Sequence, residues 1–197
     1  MMDYFIPEGL AKLEGFAKTR LSAGRYYHSC CVKKQAGYLA EIIGADVHKA
    51  EIAGILHDIC KEMPKSEQLQ YMRENGILLS NEILQNPGVW HGFVAALWIK
   101  ENLNIHDDEI SSAIYHHSTG KPDMTLLEKV LFLADLTSSD RNFADVKALR
   151  SALEDGIDTA LVYCLGFKIE HSRRSGKLPL DETQKAYQYY TYREDSI

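Results

Sequence analysis

The chain has 197 residues, 45% hydrophobic and 25% charged, and carries 28 acidic against 22 basic side chains for a formal net charge of −6. That is an ordinary soluble globular composition, long enough for one domain with a full core. The acidic balance argues against a broad electrostatic footprint for a nucleic acid polymer, but leaves room for a small phosphorylated ligand. The first residues, MMDYFIPEGLAKLEGF, lack the basic start and apolar centre of a signal peptide. No run reaches the roughly 18 apolar residues of a membrane span, so a cytoplasmic protein without membrane contact is expected. Cys30, Cys31, Cys60 and Cys164 show neither a CxxC spacing nor a secreted disulfide pattern.

Taken in order, residues 3 to 20 read as an amphipathic helix, with Pro7 suited to its first turn. A longer helix from about Arg25 to Ile43, closed by Gly44, sets His28, Val32, Ala36 and Leu39 on one face. Asp46 can cap the next helix, whose inward stripe is Ala50, Ala53, Gly54 and His57, with Asp58 following. Small residues there let a second helix approach closely. Pro64 stops this element, and Ser66 or Ser80 can each cap a short helix before the Asn86-Pro87-Gly88 turn.

The segment 91 to 103 repeats the inward spacing with His91, Val94, Ala95 and Trp98. From about Asp107, Ile110, Ala113, Ile114 and His117 do the same, while His116 falls about 100° away, facing outward or supporting a neighbour. Thr125 and Glu128 form a capping-box signature for a helix on which Leu127, Leu131 and Asp135 share a side. One long helix is expected from about Asp145 to His171, ending in basic SRRSGK, then a tyrosine-rich helix over 182 to 193. No alternating strand pattern stands out. The expected fold is all-α, a single-domain bundle of eight to ten helices, with a core at about 22–142 and C-terminal helices over 145–195 packed on it.

Four histidines on separate helices thus point inward, His28, His57, His91 and His117, together with Asp58 and Asp135. A hydrogen-bonded core would need a separate buried partner for each. A metal satisfies them together, and imidazole and carboxylate donors suit iron, manganese, zinc or similar ions. Six ligands exceed what one catalytic ion usually takes. Asp58 has two oxygens and can bridge two ions about 3.5–4 Å apart, the arrangement that activates water and clamps phosphate oxygens. Hydrolysis of a phosphate ester or phosphoanhydride is the matching reaction class.

The stretches RYYHS (25–29), KAEIAGILHDICK (49–61), WHGFVAALW (90–98), AIYHHSTGKPDM (113–124) and LEKVLFLAD (127–135), with Arg141, carry a family resemblance. The succession His28, His57-Asp58, Asp135 resembles the H…HD…D signature of HD-domain metal-dependent phosphohydrolases. The finer pattern resembles their YqeK-type branch, the symmetrical diadenosine tetraphosphate hydrolases. The resemblance implies an HD-type helical fold and cleavage of the tetraphosphate bridge to two nucleoside diphosphates. It also implies two divalent or mixed-valence metal ions, iron foremost, with manganese, cobalt, zinc or magnesium as alternatives. His28, His57, Asp58 and Asp135 would hold one ion, and Asp58, His91 and His117 the other. The chain departs from the pattern after LAD, where LTSSD replaces the usual tyrosine and Glu-Pro.

Asp58 and Lys61 are the residues expected to serve catalysis. Arg25, Lys61, Thr119, Lys121 and Arg141 are candidate contacts for substrate phosphates, against plainer readings of Lys61 as a solvated lysine and Arg25 as a salt-bridge partner. Tyr187, Tyr189, Tyr190 and Tyr192 read as packing or interface residues, which leaves a homodimer open. Two other functions fit the ligand set: hydrolysis of a nucleoside triphosphate or alarmone, and a metal- or nucleotide-binding regulatory module without turnover.

Overall fold

Side-chain caps set where the helices begin. In the computed structural model, which describes residues 7–77 and 80–194, eleven helices and no strand are found among the described residues. Helix α1 is Pro7–Arg20, α2 Ala23–Ile43, α3 Val47–Leu56, α4 Lys65–Glu74 and α5 Asn81–Gln85. They are followed by α6 Trp90–Leu103, α7 Asp108–His116, α8 Leu126–Thr137, α9 Val146–Ala152, α10 Ile157–Arg174 and α11 Asp181–Glu194. Asp46, Ser80 and Asp107 each accept the hydrogen bond from a backbone N–H three residues on, and Thr125 and Glu128 complete the capping box.

The all-α expectation holds, with one helix more than its upper bound. The extra element comes from the segment expected as one helix over 145–171, which is broken between α9 and α10. Gly156 takes φ +116° there. The interruption is a glycine in a conformation other residues rarely adopt, preceded by Glu154-Asp155. Two further expectations shift. Ser66 lies inside α4, whose cap position is Pro64, so only Ser80 caps a helix. Residues 3–6 of the first expected helix lie outside the described residues.

Helix α8 is the axis. Leu127, Val130, Leu131, Phe132, Leu133 and Ala134 are all buried, and the helix packs against α2, α3, α7, α9 and α10. A helix apolar on every side belongs at the centre. Helix α11 packs on α10 and reaches the 119–124 loop. There Met124 N–H donates to Tyr190 Oη at 2.6 Å, and Thr183 Oγ1 donates to the Thr119 carbonyl at 2.8 Å. The tyrosine-rich end is therefore packing for the most part, as Tyr190 is buried, although Tyr192 is exposed.

The closest helix pair carries the site. A Cβ built on Gly54 of α3 would stand 2.7 Å from Lys33 Cα and 2.9 Å from Lys33 N of α2. Those are backbone atoms and cannot swing aside. The small-residue stripe is thus a contact surface that brings the helix of His57 against the helix of His28.

A paired substitution tests this. Gly15 lies within α1 with nothing near its Cβ position, so Gly15→Ala should stabilise the fold by about 0.5–1 kcal/mol. Gly54→Ala should instead destabilise it by about 1–3 kcal/mol, because overpacking outweighs the propensity gain. Urea midpoints of the two variants decide it. Equal stabilisation by both would refute the close approach.

Candidate metal centre

Five helices and the turns that end them deliver six buried side chains to one point. His28 comes from the first turns of α2 and His91 from the start of α6, while Asp135 comes from the last turn of α8. His57 and His117 occupy the C-terminal cap positions of α3 and α7. Asp58 lies just past α3 in a tight turn, where Lys61 N–H donates to the Asp58 carbonyl at 2.8 Å. This turn, rather than a helical face, brings Lys61 to the same side.

Two overlapping groups could hold a metal ion: His28, His57 and Asp58, and Asp58, His91 and His117. Within each group the ligand atoms lie within 4.8 Å of one another, and Asp58 belongs to both. Asp135 Oδ1 is 3.0 Å from His28 Nε2 and 3.8 Å from His57 Nε2, which adds it to the first group. The histidine rings run as a chain, with centroid separations of 5.3 Å (His28–His57), 5.1 Å (His57–His117) and 5.0 Å (His117–His91).

Three imidazoles are oriented the same way. His57 Nδ1 bonds to the Gly54 carbonyl at 2.7 Å, His117 Nδ1 to the Ile114 carbonyl at 2.6 Å, and His28 Nδ1 to Asp140 Oδ2 at 2.8 Å. In His57 and His117 the carbonyl at Nδ1 fixes the proton there and leaves the Nε2 lone pair facing the centre, the usual arrangement around a metal-ligating histidine, while His28 Nε2 also bonds to Asp135 Oδ1 at 3.0 Å. His57 Nε2 and Asp58 Oδ1 are buried without a hydrogen-bond partner. Asp58 Oδ1 does lie 2.9 Å from His91 Nε2, but off the direction a hydrogen bond requires. Orphaned donors of this kind fit a cation.

The charge states agree. Burial alone would raise Asp58, but His57, the contact from His91 and the Lys61 ammonium hold it well below the usual carboxylate range. Asp135 is likewise held down against burial, by His28 and Arg141. Burial pushes His57 and His117 below the ordinary histidine value and takes His91 to about 4, with the neighbouring carboxylates only partly opposing it. Ionised carboxylates and neutral imidazoles are the forms a metal requires.

The expected phosphate contacts divide. Arg25 Nη1 pairs with Asp58 Oδ2 at 2.7 Å; Arg141 pairs with Asp135 through Nη2 and donates from Nε to the Asp135 carbonyl. Lys61 Nζ lies 3.2 Å from His91 Nε2 and 3.7 Å from Asp58 Oδ1. A cavity of about 580 Å³ opens beside Lys61 and Arg141, but not Arg25; it is lined by these two with Ser118 and Asp135 and continues to Phe143, Phe167 and Lys168. Thr119 and Lys121 are not brought to it. Thr119 is buried with its hydroxyl on the Gly120 carbonyl, and Lys121 Nζ pairs with Glu128 Oε2 at 3.2 Å. His116 also lies apart, its Nδ1 3.4 Å from Glu182 Oε1.

Two supporting residues escaped the sequence reading. Asp140 sits in the departure segment LTSSD, held by Ser138 Oγ at 2.7 Å, and carries His28. No periodicity marks it; only the need of each ligating imidazole for an acceptor does. Gly92 lies under His117: its Cβ would stand 3.1 Å from Cε1 of that ring. Its place in WHGF, beside an inward histidine, was the available signal.

The histidine shifts predict acid sensitivity of the metal-free protein. Burial also takes His116 to about 4, whereas unfolded histidines titrate near 6.5. Between roughly pH 6.5 and pH 4 the unfolded chain takes up protons that folded His91 and His116 refuse. Stability should therefore fall by up to about 1.4 kcal/mol per pH unit for each. Urea unfolding at pH 7, 5.5 and 4.5 measures it, and constant stability over that window would contradict the neutral cluster.

The chain is similar to known proteins over most of its length. A family model described as "HD domain" matches residues 25–140. The symmetrical bis(5'-nucleosyl)-tetraphosphatase of Bacillus subtilis (strain 168) is 38% identical over 145 residues, 74% of this chain and 77% of that protein. The enzyme of the same name from Staphylococcus aureus (strain NCTC 8325 / PS 47) is 36% identical over 142 residues, 72% of each chain. A crystal structure of a predicted HD superfamily hydrolase involved in NAD metabolism, from Clostridium acetobutylicum, superimposes with a TM-score of 0.89 at 30% identity. That match covers 98% of this chain and 99% of the other. The chain belongs to the HD-domain family, on the branch that carries the symmetrical bis(5'-nucleosyl)-tetraphosphatases.

Proposed function

We propose that this protein is a dinuclear-metal hydrolase that adds water across the central phosphoanhydride of diadenosine tetraphosphate and releases two ADP. The observation that carries the reading is the pair of ligand groups sharing Asp58. The named activity of the relatives supports the substrate. His28, His57, Asp58 and Asp135 would hold one ion and Asp58, His91 and His117 the second, with iron the expected metal. When bound, such a pair supplies Lewis-acid charge and lowers the pKa of water at neutral pH.

The chain's own groups do the rest. Asp58 and Asp135 stay ionised and His57, His91 and His117 neutral, so these donors need no proton release to be ready. Arg25 and Arg141 pair with these two carboxylates. If these carboxylates were engaged by bound metal, both guanidiniums would be free to turn to phosphate oxygens, for which their planar fork is suited. Lys61 stands at the rim beside His91 and Asp58, placed to neutralise a phosphoryl oxygen near the cleavage point. The cavity of about 580 Å³ lies in the size range of small-molecule sites.

In this reading the chain works as a single unit in the cytoplasm. Residues of about 22–142 carry the metals and α10 walls the substrate cavity, and no described helix is long and apolar enough to cross a membrane.

Incubation of iron- or manganese-loaded protein with diadenosine tetraphosphate should yield two ADP. AMP plus ATP would refute the symmetrical cut, and turnover of only other nucleotides in a substrate panel would refute the substrate. Asp58→Ala should abolish both metal loading and activity while leaving the helical circular dichroism intact; two metals per chain in that variant would sink the bridging role.

Asp140→Ala should weaken metal affinity by about 10- to 100-fold by releasing His28, as loss of an orienting acceptor does elsewhere. Competition with a chelator measures it. Unchanged affinity would show that His28 needs no anchor.

A further inference from the structure

Lys168 differs from Lys61, Asp135 and Arg141, the charged groups of the cavity that are paired with one another or with Asp58. It comes from α10, beyond residues 25–140 that the family model covers, and lines the same cavity as Lys61, Asp135 and Arg141. Other lysines of the fold are matched to carboxylates: Lys33 to Glu14, Lys49 to Asp107 and Glu109, Lys129 to Asp158. Lys168 has no hydrogen bond or ion pair with any described residue; its Nζ lies over the Phe132 ring, 5.7 Å from the centroid. Cys164, one turn earlier on α10, offers no counter-charge, because burial pushes its thiol up to about 12.

Lys168 is half-buried, and an ammonium partly withdrawn from water without a counter-ion carries a penalty of which an aromatic face returns only a small part. Burial accordingly lowers Lys168 to about 8, with Asp135 opposing and Lys61 and Arg141 adding to the fall. The side chain still carries its proton in most molecules at neutral pH. A cation kept in this state, facing a cavity with three other cations on its walls (Lys61, Arg141 and Lys177), has the character of an anion site awaiting its ligand.

We propose that Lys168 is a phosphate-binding residue of this cavity, donating its ammonium hydrogens to phosphoryl oxygens of the nucleoside polyphosphate from the α10 wall. The proposal rests on the reading that the cavity takes such a substrate. It deepens that reading by assigning the recognition of the phosphate chain to a helix outside the matched family segment.

Lys168→Met keeps the length of the side chain and removes its charge. In metal-loaded protein the metal content per chain should stay the same. Calorimetric titration should show ADP binding weakened by roughly 10- to 100-fold, the loss expected for a charge-assisted hydrogen bond. The value of kcat/KM for diadenosine tetraphosphate should fall by a similar factor, and Lys168→Arg should recover much of both. The melting temperature of Lys168→Met should equal or exceed that of the unaltered protein, since an unmatched, half-buried charge is removed and no ion pair is lost; a residue with a merely structural role would lower it. ADP affinity and kcat/KM within twofold of the unaltered protein would overturn the proposal, as would a lower melting temperature accompanied by loss of metal. If the unaltered protein does not cut the dinucleotide, the hydrolase reading fails while the ADP titrations still decide Lys168. Absence of ADP binding by the unaltered protein overturns the proposal for Lys168 as well.

Discussion

The charge of Asp58 is what the surrounding structure has to accommodate. A carboxylate with almost no exposure would ordinarily take up a proton, because leaving it charged away from water costs several kcal/mol. Here the opposite holds: Arg25 covers one oxygen, while His91, His117 and Lys61 stand round the other. The imidazoles cannot share the task as cations, since burial keeps them neutral. Such a site is stable only with positive charge at hand, supplied by arginine in one state and by metal in another. On the proposed reading Arg25 and Arg141 hold the place of the metal charge, and the same attraction that protects the carboxylates keeps the Arg141 guanidinium on the wall of the cavity proposed to take phosphate.

This constraint explains features of the fold that packing alone does not. Gly54 lets α3 lie on α2 so closely that His57 and His28 meet edge to face. Gly92 makes room for His117 under α6. Helix ends recur at the centre because a C-terminal turn offers free carbonyls, and two of these, Gly54 and Ile114, hold the Nδ1 atoms of the histidines that follow them. The same three-residue spacing thus ends the helix and orients the ligand.

What could be seen in the sequence was what obeys a period. His28, His57, His91 and His117 fall on apolar stripes, and Asp135 closes one, so five ligands were visible as inward positions. Asp58 followed from its neighbour. Residues that act through turns left no such trace. Asp140 reaches His28 across 112 residues of chain, and Arg150 braces the loop that carries it by donating to the carbonyls of Thr137, Ser138 and Arg141. Thr119 and Lys121, close in sequence to His117, face away because the chain turns at Gly120, where φ is +67°. Proximity along the chain was a poor guide there; the cap residues, which act within three positions, were a good one.

The segment LTSSD shows how a departure from the family pattern can be read physically. It replaces the residues usually found after the metal aspartate, yet it keeps the local duties of that position. Ser138 ends α8 and orients Asp140, whose other oxygen accepts the hydrogen bond from His28 Nδ1. The loop is also where the central bundle meets α9 and α10, through Arg150 on one side and the Phe143–Phe167 stack, 5.2 Å between centroids, on the other. Leu136, Arg141 and Phe143 from this stretch line the cavity together with Phe167 and Lys168 of α10. Metal ligation and cavity shape are therefore set by different parts of the chain joined at one loop. The ligand set can stay constant while residues 136–143 and α10 vary, and it is in those two elements that a change of nucleotide would be accommodated.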